Sequence, residues 1–388
     1  MTETALLGLA DVAAARQLLS GVTRETPLEP SRPLTGKLGG PAWLKCENLQ
    51  RAGSFKVRGA YVRISRLSAA ERARGVVAAS AGNHAQGVAL AADLLGAEAT
   101  VFMPVGAPLP KLAATKGYGA HVELVGETVD ESLVAARRFA DRTGAVLIHP
   151  FDHPDVIAGQ GTVALEIFDR CPDVRTIVVS VGGGGLISGI AVAAKAMRPD
   201  VRIIGVQAEG AAAYPVSLRA GRPTSLRRMS TIADGIAVGC PGDITFAHIT
   251  KLVDEIVTVT DEDISRALLM LLERGKLVVE PAGAAAAAAL YAGLVKVECP
   301  VVAVLSGGNI DPLLMVKVIE HGLSVAGRYL RFNVRCGDRP GQLALLLNQI
   351  AEQKANVIDV AHQRLDPRLR LGEVEIALSV ETRGAEHS

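Results

Sequence analysis

The chain has 388 residues, 49% of them hydrophobic, 21% charged and only 3% aromatic, which describes an Ala/Val/Leu/Gly-rich globular protein of two or three domains and argues against a disordered or collagen-like chain. Its net charge of +1, with no Lys/Arg run, argues against nucleic acid as a partner and favours a small neutral or zwitterionic ligand. No apolar stretch of membrane-spanning length and no secretory pattern occurs, and Cys46, Cys171, Cys240, Cys299 and Cys336 lack CxxC spacing, so a reducing, cytoplasmic compartment is expected with neither a disulfide framework nor a zinc site.

The first chemical landmark is ENLQRAGSFKVRGA, where Lys56 follows a glycine and an aromatic at a predicted loop-to-helix junction. A lone lysine is ordinarily a solvated charge. Desolvation beside Phe55, which also offers a face to a flat ring, would instead lower its pKa and make it a Schiff-base nucleophile. From residue 75 to about 325, short β-branched runs alternate with stretches of helical length: GVVAAS then HAQGVALAADLLG, ATVFMP then KLAATKG, TIVVSVG then GLISGIAVAAKAM, and later RIIGVQAE. That alternation predicts βα units around a buried parallel sheet, with ligands at the carboxyl ends of the strands.

Three of those strand ends carry distinctive loops. Ser80 to Asn83 opens a helix whose free N–H groups could hold a carboxylate, and Asn83 could donate to a ring hydroxyl; the alternative is an ordinary N-cap, and His84 taken alone reads as a helix-surface residue. Gly182 to Gly185 joins a strand to a helix as a phosphate cradle would. Two other readings stay open there: a dinucleotide site with Glu209 as the ribose-binding acid, although the G-x-G-x-x-G frame is missing, and tight strand-helix packing. Ser306 to Asn309, in LSGGN, ends a strand with a hydroxyl that could meet a pyridine nitrogen. A hydroxyl, unlike a carboxylate, leaves that ring a weak electron sink, which elimination tolerates because the departing β-hydroxyl accepts the electrons. After Gly327 the composition shifts, and RYLRFNVRC, DRPGQLALLLNQIAEQ and NVIDVAHQRL predict a separate β-α-β module.

Together these loops resemble the β-family, or fold type II, of pyridoxal-phosphate enzymes, and most closely the threonine dehydratase (threonine ammonia-lyase) group with the serine dehydratases and serine racemases. SFKVRGA, SAGNHAQGVA, VGGGGLISG, EPAGAA and LSGGN occur in that family's order and spacing across about residues 15 to 325. The resemblance implies a two-domain α/β fold, tryptophan synthase β-like, with open parallel sheets: residues 1–45 and 150–325 form the large domain and 46–149 the small one. It implies pyridoxal 5'-phosphate bound by Phe55, Lys56, Asn83, Gly182, Gly183, Gly184, Gly185, Leu186, Glu280 and Ser306. Lys56 is then the Schiff-base lysine and the catalytic base, and Ser80, Ala81, Gly82, Asn83 and His84 form the substrate-carboxylate loop. Glu209 matches a position where relatives hold a monovalent or divalent cation, but Pro215 stands where some supply an acidic side chain, leaving few oxygen ligands.

The implied reaction converts L-threonine to 2-oxobutanoate and ammonia, with L-serine as a side substrate because a pocket discriminates one methyl by only ~1–3 kcal/mol. Ala81 occupies the position where the family's racemases carry a serine, so racemisation is expected to be minor. Residues 328–388 resemble a partial ferredoxin-like ACT module with DRPG (Asp338 to Gly341) as its ligand loop, which implies an amino-acid effector. That pattern continues with a second helix and strand after RLGEVEIALSVET, so one sheet face is expected to be bare and apolar and the module to pack less firmly. A homodimer or homotetramer is expected. The alternatives are a serine dehydratase or racemase, a β-replacement synthase of the same fold, an NAD-dependent oxidoreductase, and a catalytically dead amino-acid sensor.

Overall fold

The computed structural model describes residues 6–365 and 367–388, so the first five residues assigned above to the large domain lie outside it. The chain divides into Met1–Asp311 and Pro312–Ser388.

The first unit holds two sheets. One has six strands in the order β1-β2-β10-β7-β8-β9, from Leu28–Pro30 (β1), Ala42–Lys45 (β2), Thr176–Ser180 (β7), Arg202–Ala208 (β8), Glu255–Val259 (β9) and Val301–Val304 (β10). All are parallel except β1, which closes one edge antiparallel to β2. The other is wholly parallel, β5-β4-β3-β6, from Val76–Ala79 (β3), Ala99–Met103 (β4), His121–Leu124 (β5) and Val146–Leu147 (β6). The central strands β3, β7 and β10 are buried along their whole length, as their unbroken Val/Ile/Ala runs require of parallel strands covered on both faces. β1 and β2 precede the predicted alternation and are short and hedged by prolines, while β5, β6 and β9 lie within its range but outside the runs quoted for it, β5 and β9 being partly exposed edges and β6 two residues long.

The helix Pro154–Arg170 fixes the spacing of this unit. It crosses the Lys56 helix (Lys56–Ser65) at a pair of glycines: a Cβ on Gly159 would lie 2.7 Å from the Gly59 Cα and 2.7 Å from the Arg58 carbonyl oxygen. Two residues on, it crosses the helix Gly185–Met197 at a second pair, where a Cβ on Gly189 would meet the Ile157 carbonyl oxygen at 2.2 Å and the Gly161 nitrogen at 2.5 Å. Backbone therefore touches backbone at both crossings. Interiors are packed too densely to absorb an added methyl there without moving a helix.

In the second unit, helix Pro312–Val325 precedes a three-stranded antiparallel sheet, β11-β13-β12, from Tyr329–Gly337 (β11), Asn356–Gln363 (β12) and Glu373–Glu381 (β13). Helix Gln342–Glu352 covers one face over Val374, Ile376, Leu378 and Val380. The opposite face corrects the expectation of bare apolar surface. Alternation turns Arg331, Asn333 and Arg335 of β11 to that side with Glu375 and Ser379 of β13, and they bond one another: Arg335 Nε donates to Glu375 Oε2 at 3.0 Å, Asn333 Nδ2 to Glu375 Oε1 at 3.2 Å, and Arg331 Nε to Ser379 Oγ at 3.2 Å. No helix among the described residues is long and apolar enough to cross a membrane.

The glycine crossings give a direct test. Gly189→Ala should cost about 1–3 kcal/mol despite alanine's higher helix propensity, read as a lower denaturant midpoint at unchanged m-value. A wild-type midpoint would show that the two helices can part without penalty.

Candidate active site

Lys56 is the first residue of its helix, with Phe55 at the N-cap. The segment before it is bent by Ala52 and Gly53, both at positive φ (56° and 68°), and fastened to the loop after β10: Phe55 N donates to Ser306 O at 3.2 Å, Gly308 N to Gly53 O at 2.9 Å, and Ser54 bridges Gly307. The Lys56 amine donates to Pro150 O at 2.8 Å and lies 5.2 Å from the centre of the Phe55 ring. Burial strips its water and lowers its pKa from 10.5 to about 8, with Glu280 opposing part of that shift. An amine so placed still holds its proton for the most part near physiological pH, but it keeps a neutral fraction far larger than an ordinary lysine's, which a nucleophile or proton acceptor needs.

The Lys56 helix is held from beneath by a buried charge network. Arg58 Nε and Nη2 donate to Glu47 at 2.8 and 2.9 Å, and Nη1 donates to Glu166 Oε1 at 2.6 Å; Lys45 Nζ donates to Glu166 Oε2 at 2.5 Å and to Thr26 O at 2.7 Å. Two cations meet two carboxylates, so the cluster is neutral. Burial alone would raise the Glu47 pKa, but the adjoining Arg58 guanidinium holds it below the ordinary carboxylate value.

The other predicted loops reach the same place. Asn83 begins the helix Asn83–Leu94 and its Nδ2 donates to Glu280 Oε1 at 2.5 Å. Glu280 is the buried N-cap of helix Pro281–Ala292, and its N–H donates to Gly307 O at 3.1 Å. Burial first, then the nearby Asp234, push its pKa up to about 7, although Lys111 pulls the other way while paired with Asp234 at 2.6 Å. Ser306 is 4% exposed at the end of β10. Ser80 Oγ accepts from Gly82 N at 3.1 Å and shapes the loop that includes Ala81.

His84 corrects the surface reading. It is 4% exposed, and its Nε2 lies 2.8 Å from Ile148 O. A carbonyl can only accept, so Nε2 carries the proton; burial and then Lys56 lower the pKa to about 3 and keep the ring neutral. It therefore supports the loop from inside.

Gly182 to Gly185 form a loop with no room for side chains. A Cβ on Gly183 would fall 2.2 Å from the Phe151 ring, one on Gly184 would fall 2.2 Å from Tyr214 Oη, and one on Gly182 would fall 3.0 Å from the Ile236 Cα. Gly184 takes φ +94°, and the helix that begins at Gly185 presents its first N–H groups to this loop, while Leu186 turns into the core behind it. The neighbourhood fits pyridoxal 5'-phosphate in kind: an anion cradle of bare backbone, a desolvated amine, a buried hydroxyl at Ser306 and a buried amide at Asn83. Glu209 is exposed at the end of β8, and no group of three or more His, Cys, Asp or Glu able to hold a metal ion occurs among the described residues.

Several contributors were not singled out from sequence. Arg58 stood inside SFKVRGA with a charge that alternation could not place. The stretch His149 to Asp152 supplies Pro150 O to Lys56 and Phe151 to the glycines, and His149 Nδ1 accepts from Asp152 N at 2.8 Å; its Pro and aromatic composition was the available signal. Tyr214, whose Oη donates to Gly183 O at 3.1 Å, left none.

A family model described as "Pyridoxal-phosphate dependent enzyme" matches residues 19–307. The chain is 48% identical over 382 residues to an L-threonine ammonia-lyase of Thermotoga maritima, covering 98% of this chain and 95% of the relative. It is 49% identical over 365 residues to an L-threonine ammonia-lyase of Geobacter sulfurreducens, covering 94% and 91%. The solved structure of the processed form of threonine deaminase isoform 2 from Solanum lycopersicum is similar at a TM-score of 0.77 and 41% identity, covering 80% of this chain and 86% of that one.

Two measurements probe the site itself. In the cofactor-free protein, acylation of Lys56 followed by peptide mapping should rise with pH around a midpoint of about 8, because only the neutral amine reacts; a midpoint at the ordinary lysine value would show the amine to be solvated. Arg58→Met should cost about 3–5 kcal/mol, since it leaves the buried Glu47 carboxylate uncompensated while Lys45 still answers Glu166, and adding Glu47→Gln to it should recover part of the loss in a denaturation series.

Proposed function

The chain belongs to the pyridoxal-phosphate-dependent enzymes, and from that premise we propose that it eliminates water and ammonia from L-threonine to give 2-oxobutanoate, with L-serine as a slower substrate. The observation that carries this reading is a lysine amine lowered to about pKa 8 beside a side-chain-free glycine loop, in a chain nearly half identical to L-threonine ammonia-lyases over almost its full length.

When bound, pyridoxal phosphate supplies a ring conjugated to the substrate nitrogen that spreads the electrons left when the Cα proton departs. In this reading Lys56 would anchor the group, and its amine would serve as the acceptor of the Cα proton. The bare N–H groups of Gly183 to Leu186 would hold the phosphate, and Asn83 would donate to the ring hydroxyl. Ser306 would be the neutral partner of the ring nitrogen, which suits elimination because a β-hydroxyl can leave with the electrons. The Ser80 to His84 loop orients the substrate carboxylate through backbone N–H groups at its helix start. Glu280, close to half protonated at neutrality, can exchange a proton with its neighbours without a stranded charge. The enamine that leaves the site tautomerises and hydrolyses, so the water lost in elimination is regained as ammonia departs.

The same reading assigns the six- and four-stranded sheets to the large and small catalytic domains and residues 328–388 to an ACT-like module with an amino-acid effector. It places the enzyme in the cytoplasm as a homodimer or homotetramer. Glu209 is the position we assign to a weakly held cation. Ala81 leaves no second proton donor of the racemase type, which favours lyase over racemase chemistry.

Lys56→Ala should lower kcat for 2-oxobutanoate release by at least about 10²–10⁴-fold, the range of a lost acid-base group, and abolish borohydride fixation of the cofactor. Near-normal turnover, or fixation on another lysine, would refute the assignment. A wild-type protein that retains no visible chromophore once unbound pyridoxal phosphate is removed would point instead to an oxidoreductase or a dead sensor.

A further inference from the structure

Asn309 ends the loop after β10 and sits between three loops of the site. Its Nδ2 donates to Ala52 O at 2.7 Å, to Asn83 Oδ1 at 2.8 Å and to Gln86 Oε1 at 3.3 Å. We propose that Asn309 is a positioning residue that fixes which end of the Asn83 amide faces the cofactor. This inference rests on the reading of Lys56 and Asn83 given above.

The orientation is set from a backbone carbonyl outward. An Asn side chain can turn by 180° and exchange its oxygen and nitrogen at little steric cost, so only its partners decide its direction. Ala52 O can only accept, and the Asn309 atom facing it must therefore be nitrogen. The same nitrogen then faces Asn83, whose nearest atom must be oxygen. The Asn83 NH2 is left pointing at Glu280, and it is the end of the amide that would donate to a ring hydroxyl. Glu280 alone cannot impose this orientation, because a carboxyl close to half protonated at neutrality accepts from an NH2 or donates to a carbonyl. Ala52 O is a fixed acceptor, and Asn309 passes its polarity on.

The surrounding glycines leave room for this relay. A Cβ on Gly53 would lie 2.2 Å from Asn309 Oδ1, and one on Gly307 would lie 2.2 Å from Glu280 Oε1 and 3.0 Å from Asn83 Nδ2. The positive φ of Ala52, 56°, turns its carbonyl into the loop to meet Asn309. Gln86, one turn further along the Asn83 helix, presents its oxygen to the same nitrogen and so completes an acceptor set that a carboxylate at position 309 would repel.

The test uses the holoenzyme and near-isosteric Asn309→Asp, which places an acceptor against Ala52 O and lets Asn83 turn over to donate to it. Loss of an oriented hydrogen bond should lower kcat/KM for threonine about tenfold or more and shift the pH dependence of the bound cofactor's visible absorption. A double-mutant cycle separates positioning from general packing. In an Asn83→Ala background, Asn309→Asp should cost less than about twofold, because the group it acts through is gone. An equal loss in both backgrounds, or an Asn309→Asp enzyme with wild-type absorption and kcat/KM within about twofold of wild type, overturns the proposal. If the aspartate prevents folding, Asn309→Ser is judged by the same two criteria. A wild-type protein without a lysine-linked visible chromophore overturns the site reading and this inference together, whereas normal chromophores throughout with additive losses overturn this inference alone.

Discussion

Arg58 places a full positive charge where water does not reach, 1% exposed, and the geometry around Lys56 depends on that charge being answered. Leaving a guanidinium alone in such surroundings costs several kcal/mol, so Glu47, Glu166, Lys45 and Thr26 are drawn from the segment before β1, from β2 and its following turn, and from helix Pro154–Arg170 into one contact set. Because Arg58 lies two residues beyond Lys56 in the same helix, the bonds that satisfy the charge also set the position of the helix start. Hydrophobic contact would tolerate a slide of the Lys56 helix; a planar fork meeting two carboxylates does not. The glycine crossings then carry that position across helix Pro154–Arg170 to the helix behind Gly182–Gly185. Two parts of the site more than a hundred residues apart in sequence are thereby held through one helix.

The site balances charge in a second way. Lys56 and Glu280 are each pushed toward neutrality by burial, the amine down to about 8 and the carboxyl up to about 7. A buried pair with both members fully charged would be held by its own attraction and slow to exchange protons. Here either group can carry the proton at little cost near pH 7, with Lys111 and Asp234 adjusting Glu280 from the other side.

Much of the fold was legible because parallel strands need unbroken apolar runs and helices need longer ones, a contrast that survives in GVVAAS and HAQGVALAADLLG. The glycine loops were legible for a related reason: Gly182 to Gly185 replace side chains that backbone chemistry forbids. What the sequence hid were residues whose importance lies in a distant partner. Arg58 reads as a surface charge until Glu47 and Glu166 are seen around it, and Asn309 reads as a turn residue until Ala52 O is seen facing it. His84 was misplaced because a helix start usually faces solvent, whereas this one lies under Ile148. The polar outer face of β11 and β13 shows the same limit in the second unit, since alternation was visible but the face it served was inferred from a family pattern.

The hydroxyl of Tyr214 has a consequence for the glycine loop that follows from the rigidity of the peptide unit. It donates to the carbonyl of Gly183, and that carbonyl shares one plane with the N–H of Gly184, pointing the opposite way across a trans bond. Drawing the oxygen toward the phenol therefore aims the amide hydrogen away from it. A buried phenol thus fixes the direction of one peptide in a run of four glycines, and with it the face that the amide of Gly184 offers to negative charge.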